Sequence, residues 1–241
     1  MLPTPSTSHV TFDTIYEPAE DSYLLLDTLS SASETLWLHH RFPPESPVPL
    51  AFESGSGSGV VIAFLTAHAK TILGREDILT FAGDVNVNAC HATKQTVTEA
   101  KTEHKSVAMF LGSSCSDLVS CLIKNSLDLV IFNPPYVPTS ELPALPSAGQ
   151  SPETSVESGS HLLSLSYAGG AQGMETTYRL LKALPEILSA RGIAYVLLCA
   201  QNKPEVVKAF VRSELKLCVE TVGTSGATAG WERLQVIRIW A

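Results

Sequence analysis

The sequence predicts an α/β domain: a mainly parallel, seven-stranded sheet with helices on both faces and an antiparallel hairpin at its carboxyl side. Three observations carry this. Short apolar strands alternate with segments of helical period, which implies a parallel sheet covered on both faces. A glycine turn, Glu53-Ser54-Gly55-Ser56-Gly57-Ser58-Gly59, closes the first strand and opens a helix. The last two strands, 215–221 and 234–240, follow one another with no helix between them, as an antiparallel pair does. A chain of 241 residues can bury one sizeable core, and without an internal repeat 1–241 reads as a single domain.

Taken in order, residues 1–15 read as an N-terminal tail. Residues 20–31 predict a helix with Leu24, Leu25, Leu26 and Leu29 on its apolar face. Pro43, Pro44, Pro47 and Pro49 mark a loop before a short strand at 50–53. A helix then starts near Ser58 and carries Val61, Ile62, Leu65 and Ala69. Strand 78–82, helix 86–103, strand 107–111 and strand 127–132 come next. Residues 139–160 are rich in Pro, Ser and Gly without any period, which predicts a mobile surface loop. Helix 173–189, strand 193–200 and helix 204–213 lead to the terminal strands, which flank a Gly-rich stretch at 223–230.

Composition narrows the function. The net charge of −8 comes from 24 acidic against 16 basic residues. The basic residues are scattered and form no stripe, so direct nucleic-acid binding, which depends on Lys and Arg, is not expected. A protein or small-molecule substrate fits better. The five Cys contain no C-x-x-C pair and read as reduced thiols. His39-His40 has no ligand at metal-binding spacing, so no metal site is expected. No apolar run reaches the roughly 18 residues of a membrane span, and the first residues lack the charged and apolar regions of a signal peptide. These features predict a soluble, cytoplasmic protein, with the nucleus also open to it.

The chemistry gathers at strand ends. Glycines after the first strand let the backbone approach a ligand closely. Their spacing is G-x-G-x-G, preceded by Glu53; a carboxylate there repels a pyrophosphate but suits the ammonium of S-adenosylmethionine. Asp84 ends the second strand, where an acid can hold a ribose diol or cap the next helix, a role Asn86 fits equally well. Asp117 and Leu118 follow the third strand, as an adenine contact or as a helix cap. Asn133-Pro134-Pro135-Tyr136 follows the fourth, at the sheet edge where open α/β folds hold ligands. This turn can grip a planar amino group with an amide oxygen, rigid carbonyls and an aromatic ring.

These residues in this order resemble the class I S-adenosylmethionine-dependent methyltransferases, in particular the HemK-like branch. Tyr16-Glu17-Pro18-Ala19-Glu20-Asp21-Ser22 resembles the N-terminal signature of the eukaryotic and archaeal enzymes that methylate glutamine in class 1 translation termination (release) factors. Tyr167-Ala168-Gly169-Gly170-Ala171-Gln172-Gly173 resembles their W-A-G-G-x-x-G stretch, with Tyr167 in place of Trp. The likeness runs from Tyr16 to Trp240. It implies that Tyr16, Ser22 and the backbone around Pro18 close over the cofactor. By the same resemblance Glu53, Gly55 and Gly57 line its methionine end, Asp84 holds the ribose, and Asp117 and Leu118 frame the adenine. Asn133, Pro134 and Tyr136 position the substrate amide, with Asn133 bordering the cofactor too. The resemblance also implies a small zinc-binding activator protein as partner. The third strand, from Val107 to Leu111, is apolar and unguarded by Lys or Pro, and is where such a partner would pair. Three other readings stay open here: an adenine-N6 methyltransferase of DNA or RNA, a protein lysine methyltransferase, and a non-catalytic scaffold.

Overall fold

The computed structural model describes residues 2–145, 156–226 and 233–241. Two helices come first, α1 (Glu20–Ser30) and α2 (Ala32–Arg41). The sequence predicts one helix here, and α2 is a second. Ser31 separates the two by adopting an extended backbone, and its hydroxyl accepts the Glu34 N–H as the N-cap of α2. The remaining elements are β1 (Leu50–Ser54), α3 (Val60–Ala67), α4 (Ala69–Leu73), β2 (Leu79–Asp84), α5 (Val87–Glu103), β3 (Met109–Cys115) and β4 (Leu127–Phe132). After them come α6 (Val156–Tyr167), α7 (Glu175–Ile187), β5 (Leu188–Cys199), α8 (Pro204–Ser213), β6 (Cys218–Thr224) and β7 (Leu234–Trp240).

All seven expected strands join one sheet in the order β3-β2-β1-β4-β5-β7-β6. The first five are parallel; β7 runs antiparallel between β5 and β6. Central β4 is buried at every residue, as its mainly apolar sequence requires when both faces are covered; its one charged residue, Asp128, is paired with Arg191. One face packs under Leu25 and Leu29 of α1, Phe64 and Leu65 of α3, and Val97 of α5. On the other, Leu180 and Leu184 of α7 and Val207 and Val211 of α8 cover Phe132 and Val196.

Several boundaries differ from the sequence reading. The third strand starts at Met109 and runs to Cys115, beyond the expected 107–111. A bulge lies where Gly112, at φ 122°, shifts its register against β2. The expected loop 139–160 is shorter at both ends. Thr139 is pinned to Gly170 through both its backbone N–H and its hydroxyl, and residues from Val156 on belong to α6. The intervening 146–155 lie outside the described residues, as do 227–232 of the Gly-rich stretch. The N-terminal tail is also structured from residue 2. The His68 ring meets the Pro3 carbonyl at 2.9 Å, Val10 and Ile15 are buried, and Asn86 Nδ2 donates to the Thr14 carbonyl at 2.7 Å. No helix among the described residues is long and apolar enough to cross a membrane.

A buried ionic group ties the N-terminal helices to the last strand. Arg238 Nη1 of β7 donates to both Glu34 oxygens at 2.8 and 2.7 Å, and the Tyr195 hydroxyl donates to Glu34 Oε2 at 2.7 Å. The guanidinium carbon lies 3.9 Å from the Trp37 ring centre and 5.0 Å from that of Trp240. Removing one partner of such a pair strands a buried charge. Glu34→Ala is therefore expected to lower stability by about 3–5 kcal/mol, read as a lower urea midpoint at unchanged slope. Glu220, the other carboxylate on Arg238, is mostly exposed and compensates little.

Candidate active site

The pairing of β1 with its two neighbours sets Ser54 opposite Gly83 of β2 and opposite Phe132 of β4. The turns that leave these three strands therefore open side by side into one cavity, which is walled on the outside by Tyr16, Ser22, Leu142, Leu162 and Leu165.

The glycine turn leaves β1 with Gly55, Gly57 and Gly59 all at positive φ (63°, 52° and 78°), a path that only glycine follows without strain. Gly59 also sits against α5; a Cβ there would meet Thr93 Cα at 2.6 Å. Gly57 faces open space and its N–H donates to Asp84 Oδ2 at 2.9 Å. Beneath the turn, Glu53 is 2% exposed. Its Oε2 accepts the Ile62 N–H at 2.8 Å. Burial pushes its carboxyl well above the usual range, and the neighbouring Asp84 charge adds to the rise.

Asp84 accepts from Asn86 N as well, through Oδ1 at 2.8 Å. The cap of α5 is Asn86, whose Oδ1 accepts the Asn88 N–H at 2.9 Å. Asp84 is thus left to the cavity, which it lines, where a carboxylate can still accept from a ligand hydroxyl. Burial raises its pKa too, against the pull of its backbone hydrogen bonds. Asp117 and Leu118 line the same cavity. No helix follows Asp117; its carboxylate is instead paired with Arg179 of α7. Leu118 stands at φ 51°.

The bend at Asn133–Tyr136 is held from behind. Val137 N donates to the Tyr167 carbonyl and Gly169 N to the Val137 carbonyl, at 2.9 and 2.8 Å. A Cβ on Gly173 would lie 1.9 Å from the Tyr136 oxygen, and one on Gly169 2.4 Å from the Pro135 oxygen. Asn202, just past β5, donates to the carbonyls of Tyr136 and Gln172 at 3.0 and 3.1 Å. The Tyr-Ala-Gly-Gly stretch therefore serves as the seat of the bend. In front, Asn133 Nδ2 donates to Asp21 Oδ2 at 3.0 Å. Asn133 Oδ1 is buried and meets no donor among the described residues.

Of the residues expected at the site, Tyr16, Ser22, Glu53, Gly55, Gly57, Asp84, Asp117, Leu118, Asn133 and Pro134 line the cavity. Pro18 and Tyr136 do not. Pro18 precedes the first turn of α1, and Tyr136, partly buried, packs against the core. Sequence reasoning gave no side-chain role to Asp21, and missed Arg179 and Asn202 altogether. Asp21 lies inside the Tyr16–Ser22 motif; the other two carry no local signal.

This arrangement, an acid under a glycine turn, an acid at the next strand end and an Asn-Pro-Pro-Tyr bend, can be set beside known proteins. No protein-family model matches the chain. The eRF1 methyltransferase catalytic subunit mtq2 of Schizosaccharomyces pombe is 33% identical over 244 residues, covering 100% of this chain and 96% of that protein. The chain belongs to the mtq2 family of HemK-like methyltransferases. A putative protein N5-glutamine methyltransferase of Methanocaldococcus jannaschii is 27% identical over 94% of the chain and 91% of its own length. Among solved structures, the N-terminal domain of human METTL16 in complex with SAH superposes with a TM-score of 0.55 at 14% identity, over 93% of this chain and 72% of that one. That likeness is one of fold, the class I methyltransferase sheet.

The chain is an S-adenosylmethionine-dependent methyltransferase, and its residues fit that cofactor. A buried carboxyl at Glu53 calls for a cation, Gly57 leaves room above the turn, and Asp84 offers acceptors to a diol. The raised pKa values give this a pH signature. In the free protein Glu53 holds its proton above the pH at which the unfolded chain releases it, so stability falls as pH rises through that interval. A bound ammonium favours the ionised form. Cofactor binding is therefore expected to release protons and to tighten as pH rises. Titration calorimetry in buffers of different ionisation enthalpy measures this, and Glu53→Gln should remove most of the release and weaken binding.

Proposed function

We propose that this chain transfers a methyl group to the side-chain nitrogen of a glutamine in the class 1 translation termination factor, as catalytic subunit of a complex in the cytoplasm. Family membership supports the substrate class. The observation that carries the chemistry is the buried Asn133 Oδ1, an acceptor with no protein donor among the described residues at the mouth of the glycine turn. Leaving such an atom unmet costs about 1–3 kcal/mol, which a substrate N–H offsets on arrival. The Pro134 carbonyl beside it is the second acceptor in this reading, and a primary amide brings two hydrogens to match.

An amide nitrogen is a poor nucleophile because its lone pair is delocalised into the carbonyl. Glu53, Gly57 and Asp84 would hold S-adenosylmethionine, whose sulfonium would supply the methyl: the nitrogen pair would form the new N–C bond as the C–S pair returned to sulfur, leaving a neutral thioether. Asn133 and Pro134 orient the nitrogen and favour the positive charge that grows on it. In this reading no side chain among the described residues acts as the base, and the extra proton leaves to water.

The partner in this reading is the small zinc-binding activator, pairing with edge strand β3. Met109 and Leu111 of β3 are 57% and 50% exposed, and Val107 just before it 70%; no Lys or Pro interrupts the strand, a surface that invites another chain.

Mass spectrometry of the termination factor, incubated with the complex and methyl-labelled cofactor, should find one methyl on a glutamine. Its absence there overturns the reading. Asn133→Ala should lower turnover by about 10²–10³-fold while calorimetry finds cofactor binding little changed. The activator surface has its own test. Leu111→Lys should reduce the soluble yield of the complex on co-expression and lose the activator on size exclusion, and a complex of normal yield argues against pairing at β3.

A further inference from the structure

We infer that the Asp21 side chain is a positioning residue: its carboxylate fixes the Asn133 amide with the oxygen, and never the NH2, turned toward the acceptor nitrogen. The inference deepens the proposed reaction and rests on it for the identity of the substrate. An Asn side chain is nearly symmetrical in shape, so packing alone does not choose between its two orientations. The wrong one would present a donor to a substrate that itself donates. Something must discriminate chemically.

Asp21 does so. An ionised carboxylate only accepts, and its Oδ2 lies 3.0 Å from Asn133 Nδ2. Its other oxygen is occupied, taking the Ser22 N–H at 2.6 Å and the Ser22 hydroxyl at 3.3 Å. Asp21 is 3% exposed, so water competes little for the bond. It stands in the first turn of α1, where the helix dipole favours an anion. With Nδ2 committed, Oδ1 has one place to face, and it is the atom left buried without a donor. Hydrogen bonds in series also strengthen one another, so a charge behind Nδ2 makes Oδ1 the better acceptor. This explains why an N-terminal helix reaches across 112 residues of sequence to a strand end.

The test compares wild type, Asp21→Asn, Asn133→Asp and the reciprocal double variant, each co-expressed with the activator. Asp21→Asn keeps size but lets the partner amide turn either way, and turnover should fall about 10–100-fold. Affinity for S-adenosylhomocysteine should stay within about threefold of wild type. Asn133→Asp sets two carboxylates against each other and should lose at least as much. The double variant restores a donor facing a carboxylate and leaves an oxygen toward the cavity, so it should recover activity above both single variants. A merely structural Asp21 would lower yield and cofactor affinity together, without rescue by the swap. Turnover of Asp21→Asn within about twofold of wild type, or a double variant no better than the poorer single one, overturns the inference. A wild type that leaves glutamine unmethylated overturns the proposed function instead. In that case NMR of the Asn133 side-chain amide decides the inference without substrate: its signals should move in Asp21→Asn, and unmoved signals sink it.

Discussion

The parallel, in-register pairing of β1 with β2 and β4 is the constraint on which the site depends. Ser54 faces Gly83 on one side and Phe132 on the other, so three strand ends finish level. The glycine turn, Asp84 and the Asn133 bend, each leaving one of these ends, then share one cavity. A slip of one residue in β1 would send Glu53 to the opposite face of the sheet, away from the turn it underlies. The apolar packing that fixes this register, with Phe52 and Phe132 on one side and Ala51 and Ile131 on the other, is therefore also what aligns the chemistry.

Around that frame the polar groups divide into those that hold and those that wait. Val137, Gly169 and Asn202 satisfy the backbone behind the bend, and Gly173 is shaped to the Tyr136 carbonyl so closely that no side chain fits. Asn86 caps α5 while its amide ties down the Thr14 carbonyl. Groups facing the cavity are the opposite: a carboxyl at Glu53 raised by burial, and an oxygen at Asn133 with no donor among the described residues. The unpartnered oxygen at Asn133 lies where a ligand is expected, a place where folds tolerate unmet polarity.

Much of this was legible in the sequence because the strands carry their own signals. The mainly apolar β4 and the amphipathic α8, opened by Pro204, have the expected bounds, and the glycine turn and Asn-Pro-Pro-Tyr bend mark the site. What stayed hidden depends on contacts distant in sequence. α2 has a mixed surface, with Leu36 exposed and Glu34 buried, because Glu34 answers Arg238 on the far side of the chain; no local periodicity reveals that. α6 lies in a segment whose Ser and Gly content reads as loop. Asp117 gave no sign of its pairing with Arg179, nor Asn202 of the carbonyls it meets. Tyr136, expected beside the substrate amide, is partly buried and packs against the core. The bulge at Gly112, which carries β3 on to Cys115, is likewise set by its neighbour.

The position of β7 has a kinetic consequence. It inserts between β5 and β6, so β6 has no sheet to join until β7 has docked. Until then Tyr195 and Glu34 lack the guanidinium that completes their cluster, and the flank of β5 stays open. Contacts spanning as many as 204 residues close slowly, since loop entropy must be lost before they form. The last two strands are therefore expected to dock late, after the parallel half of the sheet.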